Sequence, residues 1–264
     1  MEIKFDQDRC ICKGTDLCSC VCPYGFILQR DRNNHIGVAK EFEQYCINCG
    51  QCTCICPGDA ITIIENTEKP EQYDRKINAP VQQVEQLLKT RRSVRVFKEK
   101  QVPRQVLEEV LNITRWIPTA SNNQQLKWIV IHSPEKVRQI SKLTIEWIKQ
   151  TGMYTEIVAQ WEKDQDIVLR KAPCLIIVLG ENDYFWSNAE AGIALTYLEL
   201  FAYAKKLGTC WAGFFTKAVN SFAPLADYLE LPDGYKVCGG VMIGYPVFRF
   251  HSIPVRKELD IIWR

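Results

Sequence analysis

Ten of the 13 cysteines lie within the first 56 residues, and this crowding constrains the chain more than any other feature of its sequence. They occupy positions 10, 12, 18, 20, 22, 46, 49, 52, 54 and 56. The opening MEIKFDQDRC lacks the basic and then apolar residues of a secretion signal, so we expect a cytoplasmic protein. In a reducing compartment, thiols at this density favour metal or cluster ligation over disulfides.

The second group of cysteines has a specific spacing. Cys46, Cys49, Cys52 and Cys56, followed by Pro57, match C-x2-C-x2-C-x3-C-P without a gap. In bacterial two-cluster ferredoxins the first three of these cysteines hold one [4Fe–4S] cluster, and the fourth ligates the other cluster. Zinc is the alternative metal, but two separated C-x2-C pairs satisfy zinc, which leaves the third and fourth cysteines and the proline unexplained.

A shift of 34 residues aligns the two halves of this segment. It places Cys12, Cys18, Cys20, Cys22 and Pro23 on Cys46, Cys52, Cys54, Cys56 and Pro57. A repeated cluster motif predicts two clusters related by pseudo-symmetry. Thr15 stands opposite Cys49, and the simplest replacement ligand is the unmatched Cys10. We therefore predict that Cys10, Cys12, Cys18 and Cys56 hold the first cluster, that Cys46, Cys49, Cys52 and Cys22 hold the second, and that Cys20 and Cys54 are spare thiols.

The cysteine-rich segment predicts a separate domain. Residues 1–65 have a net charge of −3, which leaves +5 for the rest of a chain whose total is +2. A polar, proline-containing stretch follows, so we predict a domain at 1–65, a linker at 66–80 and a second domain at 81–264. The first of these resembles bacterial-type 2[4Fe–4S] ferredoxins, and the resemblance implies one-electron transfer at low potential. The near-neutral total charge predicts neither nucleic-acid nor membrane binding, and the longest apolar run is too short to span a bilayer.

Alternating helix and strand patterns mark the second domain. The spacing predicts helices over 80–90, from Pro103, over 134–150 and over 187–208, with Gly208 as the C-cap of the last. Buried strands are predicted at 127–132 and 173–180, with further strands in TCWAGFF and KVCGGVMIGYP. The pattern indicates an α+β or α/β domain with three layers.

Three spots in the second domain are candidates for cofactor binding. Arg91, Arg92, Ser93 and Arg95 suit phosphate oxygens, although a solvated basic helix end is the simpler interpretation of these four alone. The polar run 118–124 can bind a heterocycle or can be an ordinary loop. Gly213 allows backbone N–H groups to approach a ligand, or is a packing glycine.

In this order and spacing, the three spots resemble the nitroreductase family of FMN enzymes over about 180 residues from position 81. The resemblance implies FMN contacts from Arg91, Arg92, Ser93 and Arg95, from Pro118, Thr119, Ala120, Asn122 and Gln124, from Ala212 and Gly213, and from Arg256 or Lys257 at the FMN phosphate. In the family, Pro-Trp usually follows the glutamine that Gln124 matches, and here Gln125 and Leu126 stand in that place. The segment around Asn122 is expected to contact flavin from the partner subunit.

The family resemblance also implies an architecture and an activity. Members with a fused N-terminal ferredoxin segment occur in this family, so we expect a ferredoxin-like domain followed by a nitroreductase-like α/β/α domain with a mixed sheet. The expected protein is an intertwined homodimer that passes electrons from two [4Fe–4S] clusters to FMN and on to nitroaromatics, quinones or related small acceptors. No catalytic side chain is evident. Alternatives are an electron-transfer module for a protein partner and an ene-reductase or dehalogenase-like enzyme, and the donor is reduced ferredoxin or NAD(P)H.

Overall fold

The computed structural model describes residues 2–12, 14–64 and 70–264, which form two compact units. The first unit comprises Met1–Asn78 together with Thr119–Asn123, and the second comprises Ala79–Pro118 and Gln124–Arg264. Positions 66–69 of the predicted linker lie outside the described residues.

The first unit is built from two short antiparallel ladders and two short helices. Strand β1 (Ile3–Phe5) pairs with β4 (Ile61–Ile63), and β2 (Leu28–Arg30) pairs with β3 (Ile36–Val38). Along the chain, helix α1 (Leu17–Val21) lies between β1 and β2, and helix α2 (Gln51–Ile55) lies between β3 and β4. The helices begin 34 residues apart, and each follows an N-cap residue with positive φ, Asp16 at 35° and Gly50 at 70°. The sequence repeat is therefore also a repeat of backbone structure.

The second unit is a four-stranded antiparallel sheet with helices. Its helices are α3 (Val81–Thr90), α4 (Arg104–Asn112), α5 (Pro134–Thr151), α6 (Thr155–Glu162), α7 (Ser187–Ala204), α8 (Gly213–Val219) and α9 (Ala223–Tyr228). Its strands are β5 (Lys127–Ile131), β6 (Cys174–Glu181), β7 (Gly208–Trp211) and β8 (Tyr235–Gly244), in the order β5-β6-β8-β7. The parallel component of the expected mixed sheet is limited, in the described chain, to an isolated bridge between Ser93 and Thr209.

Strand β6 is buried on both faces, and this determines the layering. Leu175, Ile177 and Leu179 belong to one core cluster, which also contains Ile140 of α5 and Phe215 of α8. The alternate side chains Cys174, Ile176 and Val178 belong to a second cluster with Val110 of α4 and Leu198 of α7. Helices therefore cover both faces of the sheet, and the predicted α+β class is confirmed.

Two strand predictions were wrong in part. The strand predicted as buried at 127–132 is half-exposed, because β5 lies at the edge of the sheet with Val130 36% exposed. The strand predicted in TCWAGFF ends at Trp211, and helix α8 begins at Gly213. The helix predicted over 134–150 is confirmed as α5, and Ser133 caps it, since its hydroxyl accepts a hydrogen bond from the Lys136 amide.

Gly208 does not cap helix α7, as the sequence pattern had predicted. The helix ends at Ala204, and Lys206 adopts the left-handed conformation (φ 63°). The Leu207 amide donates to Ala202 O and the Lys206 amide to Tyr203 O, which is the Schellman arrangement. Gly208 opens β7 instead, where a Cβ atom would lie 2.5 Å from Cγ2 of Val94. The glycine is required for close packing against the Ser93–Val94 segment.

Helix α3 and the C-terminal coil carry exposed apolar side chains. In α3, Val81 and Leu88 are 78% and 57% exposed, and no residue of the helix is buried. In the coil, Val255, Leu259 and Trp263 are more than 80% exposed. Among the described residues, no helix combines the length and the apolar character needed to cross a bilayer.

Replacing Gly208 with Ala tests the packing explanation. Because the added methyl group collides with Val94, we expect the free energy of unfolding to fall by about 1–3 kcal/mol. Gly192 of α7 is the matched control, since a Cβ atom there meets nothing within 4 Å. Gly192→Ala is expected to leave stability equal or slightly raised, because alanine is the better helix former. Thermal unfolding followed by far-UV circular dichroism measures both, and equal midpoints for the two variants would contradict the explanation.

Candidate functional site

Four of the predicted cysteine ligands line one cavity in the first unit. We call it the Cys10 cavity, and it holds about 320 Å³ of space, including open solvent. Its lining consists of Cys10, Cys12, Cys18, Cys56, Asp16, Leu17, Arg30, Ile36, Ala60 and Ile61. Three of its cysteines come from the first half of the repeat, and Cys56 comes from the second.

The other four predicted ligands line a second cavity, which we call the Cys46 cavity. It holds about 390 Å³ on the same measure. Its lining consists of Cys22, Cys46, Cys49, Cys52, Ile3, Pro23, Tyr24, Ile27, Leu28, Ile47, Gly50, Gln51 and Ile63. Three of its cysteines come from the second half of the repeat, and Cys22 comes from the first, so each half supplies one cysteine to the other's cavity. Cys20 and Cys54 are exposed and belong to neither lining.

The donor set fits an iron–sulfur cluster in the number of its ligands. Each cavity is lined by four cysteines, which is the ligand number of one [4Fe–4S] cluster, and in the described residues no three His, Cys, Asp or Glu side chains form a group that could hold a single metal ion. The Ala60 amide donates a hydrogen bond to Cys56 Sγ at 3.2 Å. Hydrogen bonds of this kind tune cluster potentials.

Burial keeps several of these sulfurs protonated when no metal is bound. It raises the pKa of Cys52 to about 11, and it also raises the pKa values of Cys18 and Cys22. Since the thiolate is the ligand, metal binding must release these protons.

The loop of the Cys46 cavity is hydrogen-bonded to Asn122. The Asn122 side-chain amide donates to Ile47 O at 3.2 Å and to Asn48 O at 2.9 Å, and both acceptors lie between Cys46 and Cys49. These contacts fall within the first unit, which includes Thr119–Asn123. The family pattern predicts Asn122 as a flavin contact, which stays a prediction; in the structure its side-chain amide is bonded to this loop.

The backbone around Asn122 is unusual. Ser121, Asn122 and Gln124 have φ values of 51°, 54° and 48°. The backbone N–H of Asn122 donates to Thr119 O, and the backbone N–H of Asn123 donates to Ala120 O. Left-handed backbone at non-glycine residues costs energy and clusters at functional sites. Pro118 and Gln124 flank the segment and belong to the second unit.

Arg91 is held by a buried acid in the second unit. The Arg91 Nη1 atom lies 3.4 Å from Oε1 of Glu199, whose side chain is 7% exposed. Glu199 also accepts hydrogen bonds from the Thr209 hydroxyl at 2.8 Å and the Trp211 indole at 3.0 Å. The Arg91 side chain remains 29% exposed, so part of its guanidinium is available to an anion.

The rest of the arginine motif lies against strand β7. The Val94 amide donates to Thr209 O at 2.8 Å, next to the Ser93–Thr209 bridge. Arg95 donates to Ser93 O at 3.5 Å. Burial raises the pKa of the neighbouring Cys210 thiol, and the positive charge of Arg95 acts in the opposite direction. The structure therefore brings residues 91–95 and 209–213 together, as a shared anion site requires.

Ala212 and Gly213 mark the turn from β7 into α8. The Ala212 amide is already paired with Gly240 O at 2.8 Å, whereas a Cβ atom at Gly213 would enter open space. Open space over a backbone amide is compatible with a bound ring at this position.

The side chains of three other predicted cofactor residues, Arg92, Arg256 and Lys257, make no contact with this group in the described part of the chain. The Arg92 guanidinium lies 6.0 Å from the ring centroid of Phe250. Arg256 and Lys257 are exposed in the C-terminal coil. No hydrogen bond or ion pair joins them to the other predicted residues in the described part of the chain.

Sequence reasoning missed two buried acids on α7. Glu199 anchors Arg91, and Glu190, 3% exposed, accepts hydrogen bonds from the Tyr184 hydroxyl at 3.1 Å and the Gln125 amide at 3.4 Å. Gln125 also accepts from the Glu181 amide, so it ties the start of β5 to β6 and α7. The available signal was an acid inside an otherwise apolar helix, which is costly to bury unless it is paired.

Comparison with known proteins identifies the second unit. The nitroreductase family model matches residues 88–245, more than half of the chain, and the protein belongs to the nitroreductase family. The FMN reductase [NAD(P)H] of Bacillus subtilis is 26% identical over 167 residues, which cover 62% of this chain and 66% of that protein. A nitroreductase with bound FMN from Bacteroides fragilis superimposes with a TM-score of 0.60 at 20% identity, over 69% of this chain and 98% of that one.

A relative of another kind matches a shorter part of the chain. A protein described as an uncharacterized ferredoxin of Methanocaldococcus jannaschii is 36% identical over 78 residues, which cover 30% of this chain and 95% of that protein.

Proposed function

We propose that this protein is an FMN-dependent oxidoreductase that receives electrons singly through two [4Fe–4S] clusters and delivers them to small acceptors such as nitroaromatics or quinones. The observation that carries the proposal is the distribution of eight cysteines, four to each of two cavities, with Cys22 and Cys56 exchanged between the halves. Iron–sulfur clusters transfer one electron at a time, and a flavin exchanges one or two, so the pair joins one-electron donors to two-electron acceptors.

The cysteine arrangement supports two clusters of the bacterial ferredoxin type. In that motif the fourth cysteine ligates the cluster of the other half, and Cys56 and Cys22 line the cavities that this exchange requires. The ferredoxin relative matches 78 residues of the chain, which is about the length of the cysteine-rich unit. Thr15 stands where the repeat would place a ligand cysteine, and in the proposed ligand set Cys10 supplies the missing sulfur.

The arginine motif supports FMN binding in the second unit. Arg91, positioned by Glu199, is the proposed partner of the FMN phosphate, with Ser93 and Arg95 beside it. A planar guanidinium suits phosphate oxygens. Gly213 leaves room for the ring, and FMN is bound in the solved relative.

A homodimer is the proposed assembly. Helix α3 exposes Val81 and Leu88, and the C-terminal coil exposes Val255, Leu259 and Trp263. A second copy that covered these side chains would remove a large apolar area from water, which favours association. Arg256 and Lys257 lie in the same coil and would then reach a flavin site of the partner.

Iron content tests the proposed ligand sets. After anaerobic reconstitution we expect about eight iron and eight acid-labile sulfide per chain, because two four-iron clusters are present. Cys18→Ala and Cys52→Ala should each lose about half of the iron. Cys20→Ala and Cys54→Ala, two residues away on the same helices, should lose none. Loss of iron in either control would show that the ligands are assigned wrongly.

FMN retention tests the proposed role of Arg91. In Arg91→Ala the phosphate loses a charge-assisted hydrogen bond, so we expect FMN to bind more weakly by about 2 kcal/mol, or roughly 30-fold in Kd. Arg104→Ala is the control, because Arg104 pairs with Glu108 on the surface of α4. Fluorescence titration of the apoprotein with FMN measures both variants. An unchanged Kd in Arg91→Ala would assign the motif to a solvated basic helix end.

A further inference from the structure

We infer that Arg30 makes the two cluster sites unequal, by raising the reduction potential of a cluster in the Cys10 cavity and leaving that of a cluster in the Cys46 cavity unaffected. The inference rests on the proposed function, because it requires that both cavities hold clusters. It assigns an electrostatic role to a residue outside the cysteine motifs.

Arg30 lies in the wall of the Cys10 cavity, and its position is constrained at both ends of its guanidinium. Nε and Nη2 donate to Oδ1 of Asp16 at 2.8 and 2.5 Å, and Nη1 donates to Asn34 O at 2.5 Å. The Arg30 side chain is 17% exposed. A charge held in this way is screened less by water than a surface charge.

The Arg30 side chain shares the wall of this cavity with the four predicted ligands Cys10, Cys12, Cys18 and Cys56. A guanidinium stays protonated in proteins, so the wall of the Cys10 cavity carries a permanent positive charge. Hydrogen bonds to cluster sulfurs and nearby charge are the protein's means of setting the potential.

Among the described residues, the lining of the Cys46 cavity contains no equivalent cation. Its residues carry no charged side chain apart from any ionised thiol. In the 34-residue repeat, Asp16 aligns with Gly50 and Arg30 aligns with Ile64. The Arg30–Asp16 ion pair therefore belongs to the half of the repeat whose ligand spacing also differs, and the repeat does not place a second pair in the other half.

Reduction adds one negative charge to a cluster, and a fixed cation nearby stabilises that charge. Asp16 acts in the opposite direction, because its carboxylate lines the same cavity. Removing the Arg30 charge alone would leave that carboxylate without its cation beside the cluster, so the potential of a cluster in the Cys10 cavity should fall.

The test is a redox titration of the reconstituted full-length protein, followed by low-temperature EPR. In Arg30→Gln we expect one of the two cluster potentials to shift downward and the other to stay unchanged. Arg30→Lys keeps the positive charge but loses the planar guanidinium that bonds Asp16 through two nitrogens, so its potential should lie between those of Arg30→Gln and the wild type. Arg32→Gln removes an exposed cation two residues away and should move neither potential.

Two further results separate the possible failures. Asp16→Asn should raise the same potential that Arg30→Gln lowers, and this arm holds even if Arg30→Gln fails to load its cluster. Full iron content with unmoved potentials in both variants, or equal shifts of both clusters, would overturn the role of Arg30 alone. A wild-type chain that binds no clusters would overturn the proposed function together with it.

Discussion

The exchange of Cys22 and Cys56 between the two halves of the repeat is the constraint on which the first unit depends. Because each half supplies one sulfur to the other's cavity, neither half can complete its own site. The buried apolar core around these sites is small, consisting of Cys18, Ile27, Leu28, Ile36 and Ile61. Units of this size usually need metal or disulfides in addition to a core, so ligation and folding should be coupled here.

The second unit is organised differently, around a strand buried on both faces. The core clusters on either side of β6 are extensive and combine side chains of the sheet with those of the helices that cover it. Its polar feature is the buried Glu199, which satisfies Thr209 and Trp211 and holds Arg91 at the same time. One acid therefore couples the packing of β7 to the position of the proposed phosphate ligand.

Local patterns predicted much of both units. Cysteine spacing is a local property of the chain, and the grouping that it predicts is the grouping that lines the two cavities. The caps and bounds of α5 and β6 follow from Ser133, Pro134 and an apolar run in the same way. The prediction for Gly208 was wrong because Lys206 adopts the left-handed conformation at the end of α7, and the glycine instead allows close packing against Val94.

Long-range pairing was beyond the reach of these patterns. Arg91 and Glu199 are 108 positions apart, and nothing in the periodicity of α7 identifies that partner. The Asn122 contacts with the loop after Cys46 span 74 and 75 positions. Helix α3 shows a further limit of such patterns. The spacing of its apolar residues predicted the helix correctly, but it did not predict that these residues are exposed in the single chain.

The central claim is that electrons reach the flavin through the cysteine-bound clusters, and rapid mixing under anaerobic conditions tests it most directly. Full-length protein loaded with iron, sulfide and FMN is mixed with a one-electron donor, and the cluster and flavin absorbances are followed separately. The account predicts that the clusters bleach before the flavin and that Cys52→Ser, with FMN content unchanged, loses most of the rate of flavin reduction. Flavin reduction at the wild-type rate in that variant would contradict the account.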